Sequence, residues 1–122
     1  MGRRIAILAQ DLIWQDRLSR SVTAAGAEPV TATTASAFDD ALIGTDLALV
    51  DLTARAYDPL AAIERAVAAG ARVLAVGQHD DLDLRKRALA SGAERVLAYR
   101  KLFEDGPGTI EAWLGRVPEV RR

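Results

Sequence analysis

Short apolar runs alternate five times with longer amphipathic ones. Ile5-Ala-Ile-Leu-Ala9 is apolar at every position, the pattern of a strand covered by helices on both faces. From Leu12 to Ala25, Trp14, Leu18 and Val22 recur every four residues, which predicts a helix with that stripe against the sheet. Gly26 then stands where a left-handed cap is wanted. Pro29 to Thr33 predicts a second strand of little bulk, and Ser36-Ala-Phe-Asp39 carries the Ser-x-x-Asp signal for the start of helix two.

Leu47-Ala-Leu-Val50 predicts strand three, ending in Asp51. Asp58-Pro59 pairs a favoured cap with a proline in the first turn, so helix three starts there and ends near Gly70. Val73-Leu-Ala-Val76 predicts strand four. Asp80 or Asp81 caps helix four, which Gly92 ends. Strand five covers Arg95 to Ala98 or Tyr99. A loop through Gly106-Pro-Gly108 leads to helix five, Thr109 to about Gly115, and 116–122 are expected to fray.

Five β-α units with crossover helices imply a parallel sheet with right-handed connections. At 122 residues this is one α/β domain: a flavodoxin-like, doubly wound, three-layer α/β/α fold with strand order 2-1-3-4-5. Half of the residues are hydrophobic, enough for a core, yet no apolar run approaches a membrane span. The basic-then-apolar start is too short for a signal peptide, and the chain is expected in the cytoplasm. The absence of cysteine excludes disulfides and thiolate metal sites, and a single histidine, His79, excludes a multi-histidine site. A net charge of −1 offers no global field for nucleic acid.

In such sheets function gathers at the carboxyl ends of the strands. Those ends present Gln10 and Asp11, then Asp51 and Thr53, then Gly77 to Asp81, and finally Tyr99, Arg100 and Lys101. If the last three continue strand five, Tyr99 and Lys101 share a face.

Leu47-Ala-Leu-Val-Asp51-Leu52, Val73-Leu-Ala-Val-Gly77-Gln-His-Asp-Asp81 and Ala88-Leu-Ala-Ser-Gly-Ala93 stand in the order and spacing of the response-regulator receiver family. The chain resembles that family over nearly its whole length. The resemblance implies a carboxylate that attacks a phosphoryl group held by Mg²⁺, a cation that needs hard oxygen ligands near octahedral geometry. By this resemblance Asp51 matches the phosphoacceptor, Asp11 one member of the acidic pair, and Thr53 the residue whose carbonyl binds metal. Three positions depart from the pattern. Gln10 replaces the second acidic residue, Gly77 the switch hydroxyl, and Tyr99 the lysine, although Lys101 lies two residues beyond. The resemblance is therefore to a degenerate member, a pseudo-receiver.

Plainer readings exist for each residue. Asp51 could be a polar residue where a strand leaves the core. Asp11 could be only a helix cap, a role compatible with the other. His79 with Asp80 and Asp81 fits a solvated loop better than a metal site. Arg85-Lys86-Arg87 reads as a solvated helix face before a docking patch, and Trp14 and Trp113 read as core before hot spots.

The expected function is a signalling and protein-interaction module with an incomplete phosphorylation site. No effector segment is expected after helix five, so output would pass through partner docking or dimerisation on the face of helix four, strand five and helix five. The alternative is a working stand-alone response regulator, phosphorylated on Asp51 with Mg²⁺ by a histidine kinase. A nucleotide or small-molecule enzyme ranks third, because Ala9-Gln-Asp-Leu-Ile-Trp14 lacks the glycines of a phosphate cradle and no nucleophile–base set is visible.

Overall fold

The computed structural model describes residues 3–115. Five strands and five helices alternate: β1 (Arg3–Leu8), α1 (Leu12–Ala24), β2 (Ala27–Ala32), α2 (Ala35–Leu42), β3 (Leu47–Asp51), α3 (Pro59–Ala68), β4 (Arg72–Gly77), α4 (Leu82–Ser91), β5 (Arg95–Ala98) and α5 (Tyr99–Leu114). All pairings are parallel and the order is β2-β1-β3-β4-β5. This is the doubly wound, flavodoxin-like sheet that the alternation of runs predicts.

The two-residue period of a strand sorts the core into two layers. Ile5, Ile7, Leu49, Leu74, Val76 and Leu97 face α1 and α5, where Leu18, Val22, Ile110 and Trp113 meet them. Ala6, Leu8, Ala48, Val50, Val73 and Ala75 face the other way, toward Phe38, Ile63 and Ala88 of α2, α3 and α4. The second layer is built on smaller strand residues.

Caps fix most helix starts. Asp11, Asp58 and Asp81 each accept from backbone N–H groups of the first turn of α1, α3 and α4, and Gly92 takes the left-handed conformation after α4. Two starts differ from the sequence reading. α2 is capped by Thr34, whose hydroxyl accepts from Ala37 N at 3.2 Å, so the helix begins before Ser36. α5 begins at Tyr99, with no loop between β5 and the helix. The Gly106-Pro-Gly108 stretch marks a break inside it: Asp105 is extended, and its side chain accepts from Gly108 N at 3.0 Å, capping the second half. Pro107 sits just after that cap, where a missing N–H costs nothing. The expected fraying of 116–122 lies outside the described residues. Among the described residues no helix is long and apolar enough to cross a membrane.

Candidate functional site

The switch point lies where the connections from β1 and β3 depart in opposite directions, α1 to one face of the sheet and α3 to the other. Asp51 is the last residue of β3, paired with Val76 of β4, and is 1% exposed. A carboxylate so placed needs donors. It has three, all on Oδ1: the Thr53 N–H and the Thr53 hydroxyl, each at 3.0 Å, and the Tyr99 hydroxyl. The Thr53 and Tyr99 hydroxyls also lie within bonding reach of each other, so two protons serve the three oxygen contacts around that one carboxylate atom. No hydrogen bond among the described residues falls on Oδ2.

Burial raises the Asp51 carboxyl above the ordinary carboxylate value. The bonds from Tyr99 and Thr53 oppose that rise, and the nearby charge of Asp11 adds to it. The Tyr99 phenol is itself pushed well up, first by burial and then by its bond to the Asp51 carboxylate. It is a fixed hydroxyl donor at any ordinary pH.

Tyr99 is held from behind. Its ring stacks on Trp14 of α1, with centroids 4.5 Å apart and planes 29° from parallel. Trp14 is half-buried at the rim of the site, while Trp113 is fully buried core. Because Tyr99 opens α5, the alternation that would put Lys101 beside it does not apply. Two residues along a helix turn a side chain by about 200°, and Lys101 is exposed.

Asp11 caps α1, accepting from Ile13 N at 2.8 Å and Trp14 N at 3.1 Å through Oδ1. Gln10 reaches across to the β3–α3 connection, where its Oε1 accepts from Arg55 N at 2.7 Å and Ala56 N at 3.0 Å. Gln10, Asp11, Thr53, Arg55 and Leu84 line an open cleft of about 640 Å³ above the strand ends. Gly77 ends β4; a Cβ there would meet Leu52 Cδ1 at 3.1 Å, so a hydroxyl residue would press on Leu52. His79, Asp80 and Asp81 lie exposed in and after the β4–α4 turn, and no group of three potential metal ligands occurs among the described residues.

Two residues absent from the sequence reading complete the frame. Tyr57, buried in the β3–α3 connection, directs its hydroxyl to the carbonyls of Asp51 at 2.7 Å and Leu8 at 3.3 Å, tying β3 to β1. Burial and the Asp51 charge push its phenol up as well. Gln15 donates from Nε2 to the carbonyls of Ala9 and Ala32, at 3.1 and 3.2 Å, closing the end of β1 onto β2.

Among the described residues of the cleft, no hydrogen bond falls on Oδ2 of Asp11, Oδ2 of Asp51 or the Thr53 carbonyl, which leaves these oxygens for a cation. That is a small donor set, which a Mg²⁺ keeping several waters can use.

No family model matches the chain, and no curated protein matches it. Solved structures do. A two-component response regulator from Clostridium difficile superposes with a TM-score of 0.82 at 15% identity, over 97% of this chain and 100% of that one. The fold is that of a receiver domain. The signal receiver domain of a DNA-binding response regulator from Colwellia psychrerythraea 34H gives 0.79 at 21% identity, over 94% and 100%. A BeF3-activated receiver domain, DrrB, gives 0.80 at 14% identity, over 95% and 100%. In the receiver fold, Asp51 stands at the carboxyl end of the central strand, with Tyr99 arching over it from the end of β5.

Proposed function

We propose that this chain is a receiver-like signalling module that acts by docking another protein, with an incomplete phosphorylation site. The observation that carries this reading is the bond from the Tyr99 hydroxyl to Asp51 Oδ1, at a place where the receiver pattern has a lysine. A lysine brings a positive charge that offsets a phosphoryl group; a phenol brings a neutral donor and a bulky ring. Gln10 and Gly77 remove a carboxylate and a hydroxyl from the same pocket, and Gln10 is committed to the loop amides. The module is not an enzyme beyond any transfer to its own Asp51, and it works in the cytoplasm without contacting nucleic acid directly.

The docking face in this reading is α4, β5 and the first turn of α5. Arg85, Lys86, Arg95 and Lys101, with Arg87 paired to Asp83 and Arg100 to Glu104, leave it basic and suited to an acidic protein surface.

The second reading is a stand-alone response regulator phosphorylated on Asp51 by a histidine kinase. The position of Asp51 and its unbonded Oδ2 favour it; Asp11, Asp51 and the Thr53 carbonyl would then hold Mg²⁺, which neutralises phosphoryl charge when bound. Incubation with acetyl phosphate and Mg²⁺, followed by intact-mass measurement, separates the two. The interaction-module reading expects no adduct under conditions that modify a complete receiver. An adduct on the wild type that Asp51→Asn abolishes would establish the second reading instead.

A further inference from the structure

On the sheet face opposite α2, α3 and α4, helices α1 and α5 lie side by side with a groove of about 490 Å³ between them. Its floor includes the buried Ser21, Leu102 and Gly106. The helices approach closely there: a Cβ on Gly106 would fall 2.1 Å from Ser21 Oγ. Two large apolar side chains line the groove yet stand in solvent, Ile13 of α1 at 78% exposed and Phe103 of α5 at 64%. Single exposed apolar residues are ordinary, but two on the walls of one groove form a patch.

The charges on the walls say what covers it. The α1 wall brings Arg17 and Arg20, with Asp16 paired to Arg20 at 2.9 Å; the α5 wall brings Glu104, paired to Arg100 at 3.2 Å, and Asp105, which accepts from Gly108 N. A two-fold axis running along the groove sets the α1 wall of one copy against the α5 wall of the other, and does so twice. Basic then meets acidic at both contacts. On the face of α4, β5 and the start of α5, Arg87 is already paired with Asp83 and Arg100 with Glu104, so basic and acidic groups there are not sorted onto opposite walls. Phe103 is also prearranged: the Arg17 guanidinium lies 4.5 Å from its ring centroid, which lowers the cost of ordering it in a contact.

We infer that the α1–α5 groove is a self-association face, taking the same groove of a second copy of this chain, with Ile13 and Phe103 at the centre and Arg20 against the partner copy's Glu104. Self-association there stands independently of the chemistry at Asp51.

Sedimentation equilibrium of the full chain over a wide concentration range tests it, with circular dichroism to check folding. A reversible dimer is expected, and Phe103→Asp weakens it about tenfold or more without changing the spectrum. Arg20→Glu and Glu104→Arg each weaken association alone, because each places like charges at both contacts. Their equimolar mixture restores it, because the mixed dimer has opposite charges at both. Arg87→Glu on α4 leaves association unchanged. A chain that stays monomeric throughout, a dimer indifferent to Phe103→Asp, or a mixture no tighter than its components overturns the inference. The charge exchange keeps the test decisive even if Phe103→Asp misfolds.

Discussion

Tyr99, the first residue of α5, donates its hydroxyl to Oδ1 of Asp51, the last residue of β3. Forty-eight positions of sequence separate them, and this hydroxyl joins the end of β5 to the centre of the site.

Tyr99→Phe removes that hydroxyl, with its contacts to both Asp51 and Thr53, while keeping the ring. Tyr99→Phe retains the stack on Trp14 and leaves Asp51 with Thr53 alone. A hydrogen bond to a charged group is worth about 1.5–3 kcal/mol, so urea denaturation at neutral pH should show a loss of about that size. An unchanged midpoint would mean the contact contributes nothing to the fold.

Asp51 also sets a pH dependence of known sign. Its folded-state pKa lies above the ordinary 3.8, so between 3.8 and the raised value the unfolded chain binds fewer protons than the native one. The Asp51 contribution to stability therefore falls as pH rises through that window, and stays low above it. Asp51→Asn, neutral at every pH, should melt higher than the wild type near neutrality. The difference should shrink as pH falls toward about 3. Thermal melts of both proteins across that range read it directly; a gap that grows on acidification would reverse the sign.

The close approach of α1 and α5 makes a third expectation. Gly106→Ala forces a methyl onto Ser21, and overpacking of this kind costs about 1–3 kcal/mol. Ser21→Ala removes the hydroxyl that the methyl meets first, so the double variant should recover part of the loss. Full additivity of the two changes, measured by denaturation, would show that they do not share a contact.

Much of this architecture was legible in the chain. Asp11, Asp58-Pro59 and Gly92 are local signals, because a cap or a left-handed glycine acts on backbone within a few residues of itself. The start of α5 carries no such signal: Ala98 precedes it and no side chain caps it. The only punctuation nearby, Gly106-Pro-Gly108, belongs to the internal break. A strand continued to 101 would put Lys101 on the face of Tyr99; the helix turns it away into solvent. Trp14 fitted the apolar stripe of α1, but a stripe does not show where the sheet ends beneath it. The residue lies at the rim, against Tyr99. Tyr57 and Gln15 were invisible because their partners are carbonyls of distant strands, and a carbonyl has no residue identity to read. Asp51, Gln10, Asp11 and Gly77 could be placed at the strand ends from alternation alone. What they bond there could not.

The most direct test of an Asp51 closed by Tyr99 is the amide spectrum of the protein titrated with Mg²⁺ and beryllofluoride, a mimic of the phosphoryl group. A closed site predicts that Thr53, Tyr99 and β5 keep their resonances at saturating reagent. Large shifts running from Asp51 to β5 would contradict it, and would make this chain a working receiver.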